Sequence, residues 1–163
     1  MNKKNIKKKT VVAVSGGFDP LHIGHIRMFK AAKKLGDRLV VILNNDNWLR
    51  NKKKFAFMPE QERKEIIESF SFVDQVVITN HRENDPDHSV VRMLKKIKPD
   101  IFANGGDRNP TDAKDKKSPL NKDQAHCIEF GIRMVFNVGR GGKIQSSSWL
   151  VDKAVKQNTK KRN

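Results

Sequence analysis

The sequence predicts an α/β fold in which a five-stranded parallel sheet lies between two layers of helices. Short runs rich in β-branched residues, without polar alternation, are typical of parallel strands buried on both faces. Amphipathic stretches long enough to form helices separate these runs along the 163 residues. Strands that alternate with helices form a parallel sheet through right-handed crossovers, so we expect three layers in a single domain.

The elements follow one another in a regular order. The predicted strands comprise residues 10–14, 39–43, 73–78, 101–103 and 134–138. The predicted helices comprise residues 23–35, 60–70, 86–97, 121–130 and 146–156. In the first helix Ile23, Ile26 and Phe29 share one face, and Gly36 provides a natural end.

Two long segments interrupt this order, residues 44–58 and residues 105–122. Loops of this length are uncommon in compact domains unless they have a function or are disordered. Each follows a predicted strand, and ligands of open α/β sheets bind beyond the carboxyl ends of the strands. We therefore expect both segments at the binding edge.

Composition restricts the possible classes of protein. The single cysteine, Cys127, excludes an intrachain disulfide and a cysteine-based zinc cluster, which favours a reducing, cytoplasmic setting. No apolar run approaches the roughly 18 residues of a membrane span. More than half of the net charge of +16 lies in residues 1–9 and 151–163. We predict basic tails over residues 1–9 and 158–163, around a domain over residues 10–157 whose remaining positive charge suits polyanionic substrates.

The turn after the first strand has the features of a phosphate site. Gly16 and Gly17 permit a tight turn and a close approach of backbone to ligand. His22 and His25 flank Gly24 at the start of a helix, where they fall near the same side and beside unpaired N–H groups. Neither the dinucleotide fingerprint nor the Walker A motif is present. Zinc binding by the histidines is the weaker alternative, since no third ligand has a suitable spacing.

This turn, with the sequence GGFDPLHIGH, resembles the His-x-Gly-His signature of cytidylyltransferase-like nucleotidyltransferases. Later segments resemble the same family in the same order: AKKLGDRLVVILNND, MPEQERKEIIESFSFVDQVV, ANGGDR and KIQSSSWLV. The resemblance spans about residues 10–155 and is strongest for glycerol-3-phosphate cytidylyltransferases and heptose-1-phosphate adenylyltransferases. It implies a Rossmann-like three-layer fold and a homodimer.

The resemblance also implies a reaction, in which a nucleoside monophosphate passes from a nucleoside triphosphate to a phosphorylated small molecule and pyrophosphate leaves. An ionised phosphate is already a nucleophile, so catalysis consists of holding the reactants in line and neutralising the developing charge. CTP is the favoured nucleotide. The alternative is an adenylyltransferase that acts on a sugar phosphate, FMN or a similar acceptor. Mg²⁺ is expected to arrive with the triphosphate.

Site residues are transferred from the family position by position. The implied catalytic residues are His22, His25, Arg63 and Lys54. The implied nucleotide-binding residues are Gly16, Gly17, Phe18, Asp19, His22, His25, Gly105, Asp107, Ser146, Ser147 and Ser148. The implied acceptor-binding residues are Asp46, Trp48, Lys52 and Lys53.

Some roles are more specific. We expect His25 to stabilise the transition state at the α-phosphate and Arg63 to reach the β- and γ-phosphates. Asp19 orders the turn or the metal. Either Arg140 or Lys143 replaces an arginine of the family.

Two further expectations concern acceptor choice and the class of protein. Residues 105–122 are predicted to cover the acceptor site and to set acceptor preference. A rival interpretation is a catalytically inactive nucleic-acid-binding module, which the basic tails favour. The absence of tyrosine and of any DNA-reading motif weighs against it.

Overall fold

A computed structural model describes residues 8–106, 108–139 and 145–160 of the chain. Its strands are β1 (Val11–Gly16), β2 (Arg38–Leu43), β3 (Gln75–Ile78), β4 (Ile101–Gly105) and β5 (Arg133–Val138). Its helices are α1 (Ile23–Lys33), α2 (Asp46–Lys53), α3 (Glu60–Glu68), α4 (Val91–Ile97), α5 (Pro110–Lys114), α6 (Pro119–Glu129) and α7 (Ser147–Lys160).

The strands form one parallel sheet in the order β3-β2-β1-β4-β5. Strands β2 and β3 are added in turn on one side of β1. The chain then returns to the other side of β1, where β4 and β5 are added in turn. The strand order therefore reverses between β1 and β4, and this is where open α/β sheets form their ligand crevice.

Two apolar clusters cover the two faces of the sheet. On one face Val12, Val14 and Leu39 pack with Phe29 of α1 and Ile67 of α3. On the other face Ala13, Ile42 and Phe102 pack with Leu94 of α4 and Leu120 of α6. Alternate residues of β1 thus belong to opposite cores, as the side-chain period of a strand requires. The predicted Rossmann-like fold with a five-stranded parallel sheet is confirmed.

The first segment predicted as a loop, residues 44–58, contains helix α2. Asn45 begins the helix, and its side-chain oxygen accepts a hydrogen bond from the Trp48 backbone N–H at 3.0 Å. Trp48 and Leu49 are its only buried residues among eight, so the apolar periodicity is too weak to reveal a helix.

The second such segment, residues 105–122, contains α5 and the first residues of α6. Both helices have proline in the first turn and a capping residue before it, Asn109 and Ser118. The predicted helix over residues 86–97 begins only at Val91. Upstream of it Asp87 accepts the N–H of Ser89 at 3.1 Å in a turn.

The last helix, α7, continues to Lys160, beyond the predicted helix end at residue 156 and into the predicted tail. None of the helices in the described ranges is long and apolar enough to cross a membrane.

Candidate active site

A cavity of about 340 Å³ opens at the carboxyl ends of β1 and β4, where the strand order reverses. Eleven of the sequence-predicted site residues line it: Gly16, Gly17, Phe18, His22, His25, Trp48, Lys52, Lys53, Ser146, Ser147 and Ser148. Segments that are distant in sequence therefore meet at one place, because every contributing loop follows a strand or begins a helix at the same edge of the sheet.

The two histidines form a stacked pair at the start of α1. Their ring centroids are 3.6 Å apart with 23° between the planes. His22 Nδ1 accepts the Gly24 N–H at 3.2 Å, and His25 Nδ1 accepts the His22 N–H at 3.3 Å. A Cβ atom on Gly24 would lie 2.9 Å from His22 Cε1, so the glycine leaves room for the ring to fold back.

These hydrogen bonds determine where the rings carry their protons. Each Nδ1 acts as an acceptor, so a neutral ring carries its proton on Nε2. Burial, followed by the positive charges of His22 and Lys53, lowers the pKa of His25 to about 3. Burial, followed by the charge of Lys53, also lowers the pKa of His22. Both rings are thus neutral near pH 7, and each keeps an Nε2–H donor.

Phe18 supports the pair from behind. Its backbone is in the left-handed region, with φ of 49°, and its side chain is buried. The ring meets His25 edge-on at a centroid distance of 5.0 Å and Phe29 at 4.9 Å. A Cβ atom on Gly16 would lie 2.7 Å from this ring, so the first turn folds closely around Phe18.

Arg63 lies beneath the cavity and does not line it. Its side chain has 0% exposure, and Nη1 donates to the carbonyl oxygens of Gly17 at 2.6 Å and Asn44 at 2.9 Å. Nε donates to the Met58 carbonyl at 2.9 Å, and Nη2 donates to Asp46 Oδ1 at 2.6 Å. The expectation that Arg63 reaches the phosphates is corrected, because the carbonyl groups after β1 and β2, the Met58 carbonyl and the Asp46 carboxylate together engage its guanidinium.

Two predicted carboxylates also have structural partners. Asp46 pairs with Arg63 and does not line the cavity, in contrast to its predicted contact with the acceptor. Asp19 is buried and accepts the N–H groups of Phe57 at 2.7 Å and Met58 at 2.8 Å. Of the two roles considered for Asp19, the geometry supports ordering of a turn, the one that precedes α3.

The lysines after β2 occupy different positions. Lys52 and Lys53 line the cavity, whereas Lys54 ends α2 in the left-handed region and lies outside the lining. Lys52 Nζ lies 4.8 Å from the centroid of the Trp48 ring. Burial lowers the pKa of Lys52, and the charges of Arg108 and Lys53 lower it further. The predicted catalytic role of Lys54 therefore has no geometric support.

The two tryptophans occupy different environments. Trp48 is buried, and its Nε1 donates to the His88 carbonyl oxygen at 2.9 Å, so its ring forms a fixed floor under Lys52. Trp149 lies on α7 with 53% exposure, outside the cavity lining.

The opposite wall comes from the ends of β4 and β5 and the start of α7. Ser147 Oγ donates to the Pro20 carbonyl oxygen at 2.9 Å, which joins α7 to the first turn. Gly106 lines the cavity, whereas Gly105 packs where a Cβ atom would lie 2.5 Å from Met28 Sδ. Asp107, together with Arg140 and Lys143, lies outside the described residues.

Five polar residues of the lining were missed from the sequence: Ser15, Arg27, Asn44, Arg108 and Gln145. Asn44 directly follows β2 and Arg108 follows β4, so their position at the carboxyl edge was an available signal. A single polar residue in a loop belongs to no periodic pattern, so the sequence does not distinguish a residue that faces the cavity from one that faces solvent.

No aspartate or glutamate lines the cavity among the described residues. Within the same ranges no group of three or more His, Cys, Asp and Glu side chains is arranged to hold a metal ion. The described side chains therefore offer a triphosphate neutral donors and cations, without a carboxylate set for a metal.

Comparison with known proteins identifies one family model and several relatives that are similar to this chain. The family model described as cytidylyltransferase-like matches residues 13–147. An FAD synthase of Pyrococcus abyssi is 38% identical over 99 residues, which cover 60% of this chain and 64% of that protein. The bifunctional protein HldE of Syntrophotalea carbinolica is 38% identical over 104 residues, 63% of this chain and 20% of that protein. The match thus spans less than two thirds of either relative.

Among solved structures, the lipopolysaccharide core biosynthesis protein of Thermoplasma volcanium has a similar fold. It superposes with a TM-score of 0.64 and 28% identity, and the match covers 82% of this chain and 100% of that one.

Proposed function

This chain belongs to the cytidylyltransferase-like family, and from that premise we propose that it transfers AMP from ATP to the phosphate group of a small acceptor and releases pyrophosphate. The observation that carries the proposal is the pair of neutral histidines in a cavity at the strand reversal. A neutral imidazole with its proton on Nε2 donates a hydrogen bond to a phosphate oxygen. It acts as a hydrogen-bond donor and does not give up that proton during the reaction.

The chemistry needs no side-chain base. An oxygen of the acceptor phosphate attacks the α-phosphorus of ATP, and the bond from that phosphorus to the oxygen bridging to the β-phosphate breaks. His22 and His25 donate to oxygens of the α-phosphate, where charge develops. Lys53 adds positive charge, and the N-terminus of α7 at Ser147 receives the departing phosphates. Arg63 acts from below as a positioning residue, since it fixes the carbonyl groups behind the turn.

The relatives favour ATP over CTP, the nucleotide that the sequence alone favoured. FAD is the adenylylated form of FMN, so an FAD synthase transfers AMP. The similarity to proteins of that name supports an adenylyltransferase that acts on FMN, a sugar phosphate or a related acceptor.

Mg²⁺ is proposed to enter on the ATP phosphates. The described cavity lining lacks carboxylates, so it provides no ligand set for a resident ion. We assign no step of the reaction to the metal. The homodimer and the cytoplasmic setting inferred from the sequence stay predictions.

The proposal is tested by measuring pyrophosphate release with ATP or CTP and a panel of FMN, ribitol 5-phosphate, glucose 1-phosphate and glycerol 3-phosphate. We expect turnover with ATP and at least one acceptor. A preference for CTP would restore the cytidylyltransferase interpretation. Absence of turnover, together with RNA or DNA binding that weakens steeply with salt, would support the inactive nucleic-acid-binding module instead.

A further inference from the structure

Two cations connect the central cavity with a second one. Lys52 on α2 and Arg108 after β4 line the central cavity, and both also line a neighbouring cavity of about 460 Å³. They are the residues that the two described linings share. A ligand that extends from one cavity into the other therefore lies beside these two side chains.

Neither cation forms an ion pair or a hydrogen bond with a carboxylate among the described residues. Arg108 is half-buried, and Lys52 Nζ lies over the Trp48 ring. The acidic group that the Arg108 charge acts on is the buried Asp123, whose pKa burial raises to about 7 against the effect of that charge. By contrast, the buried Arg63 is paired with Asp46. Arg108 is near enough for its charge to contribute to the lowered pKa of Lys52.

Two like charges held together repel each other, and a ligand anion between them converts that repulsion into attraction. A guanidinium beside an ammonium is also a suitable donor set for phosphate oxygens. The pair thus has the charge and the donors of an anion site that no described side chain fills.

We propose that Lys52 and Arg108 hold the phosphate of the acceptor, and that the organic part of the acceptor lies in the second cavity. This inference rests on the proposed function for the identity of the ligand. Because both residues also line the central cavity, the phosphate between them shares that cavity with the histidine pair and the ATP α-phosphate.

The lining of the second cavity indicates the chemistry of the acceptor. Besides the two cations it consists of Asp112, Asp115, Ser118, Pro119 and Leu120, with no aromatic side chain among its described members. Asp112 Oδ2 accepts the Asn109 N–H at 3.0 Å, and Asp115 Oδ1 accepts the Lys117 N–H at 2.9 Å. The second oxygen of each carboxylate has no hydrogen-bond partner within the described ranges.

Free carboxylate oxygens accept hydrogen bonds from hydroxyl groups, and the Ser118 hydroxyl adds a further polar group. The acceptor is therefore a phosphorylated polyol. A sugar phosphate and the ribityl phosphate of FMN both have this chemistry, whereas a phosphate on a bare aromatic ring does not.

Binding without nucleotide tests the site directly. Calorimetry with ribitol 5-phosphate, glucose 1-phosphate, FMN and phenyl phosphate should show tighter binding of the three polyol phosphates than of phenyl phosphate. Ribitol 5-phosphate is FMN without its ring system, so this pair distinguishes a flavin acceptor from a sugar phosphate. Equal binding of phenyl phosphate, or no binding of any polyol phosphate, would overturn the proposal.

The variant Arg108→Gln removes the charge and keeps most of the length of the side chain. We expect it to weaken binding of the best polyol phosphate, and to raise its KM, by about tenfold or more, since hydrogen bonds to charged groups are lost. The KM for ATP should stay unchanged. Arg108→Lys should restore part of the affinity, because it returns the charge without the two-pronged geometry.

Arg133→Gln is the matched control, because exposed Arg133 begins β5 at the opposite edge of the sheet. Unchanged acceptor affinity in Arg108→Gln would refute the site. If the parent protein binds ribitol 5-phosphate through Arg108 but releases no pyrophosphate from ATP with any acceptor, the proposed function fails and the anion site stands.

Discussion

The two walls of the cavity are built differently. On the β1–β2 side, the buried Arg63 donates to three backbone carbonyl groups and to one carboxylate, and Asp19 accepts two backbone N–H groups. On the β4–β5 side, Ser147 donates a single hydrogen bond to the Pro20 carbonyl. In the described part of the chain, therefore, buried charged side chains hold the first wall, and one hydrogen bond from the buried Ser147 hydroxyl joins the second wall to the first turn.

The difference between the two walls matches the roles proposed for them. The histidine pair stands on the first wall, where in-line transfer requires fixed donors. Lys52 belongs to the same wall, whereas Arg108 belongs to the second, so the proposed acceptor site bridges the two. Four changes test this contrast, beginning with the largest expected effect.

Replacing Arg63 with methionine should destabilise the first wall and, with it, the folded chain. The change leaves the Asp46 carboxylate and three carbonyl groups without their donor, so we expect the free energy of unfolding to fall by about 3–5 kcal/mol. Urea denaturation measures this loss. Arg133→Met, on the exposed start of β5, is the control, and equal stabilities of the two variants would contradict the supporting role of Arg63.

His25→Ala tests the chemistry on that wall. Removing one donor to a developing charge lowers kcat by about 10²–10³-fold in comparable sites. We expect this loss in pyrophosphate release with ATP, without a matching rise in the KM for ATP. A kcat near the parent value in a variant that remains folded would remove His25 from the mechanism.

The pH dependence of stability tests the neutral state of the partly buried His25. Its pKa in the folded chain is lowered from 6.5 to about 3, so below pH 6.5 the unfolded chain takes up a proton that the folded chain does not. Acidification from pH 6.5 to 5.5 should therefore cost up to about 1.4 kcal/mol through this group.

The contribution of His25 is isolated by comparing the parent protein with His25→Asn in urea unfolding at pH 7 and pH 5.5. Other titrating groups largely cancel in that difference. The parent protein should lose more stability on acidification than the variant does. Parallel losses would mean that His25 takes up its proton in the folded chain as readily as in the unfolded one.

Ser147→Ala tests the second wall and should have the smallest effect. It removes the hydrogen bond to Pro20, so we expect a loss of about 0.5–1.5 kcal/mol in the free energy of unfolding. Ser148→Ala, on the next residue of α7, is the control. A loss as large as that of Arg63→Met would show that the two walls are equally important to the fold.

Much of the fold and part of the candidate site could be predicted from the sequence. The five strands are mostly apolar runs without polar alternation, and such runs separated by helical segments are typical of a buried parallel sheet. The histidine pair could be located because glycines and a helix start surround it locally. Helix α2 was not predicted because only Trp48 and Leu49 are buried in it. The role of Arg63 was not predicted because three of its four acceptors, on Gly17, Asn44 and Asp46, are distant in sequence.

The sequence by itself determined the order of the five strands and the position of the turn that contains Gly16, Gly17, His22 and His25, because both depend on neighbours within a few residues. Only the tertiary structure decided which charged side chains face the cavity. Arg63 and Asp46 neutralise each other beneath it, whereas Lys52 and Arg108 both line it and form no ion pair within the described ranges. Periodicity does not determine such pairings, because they form between strands and loops that meet only after the sheet has assembled.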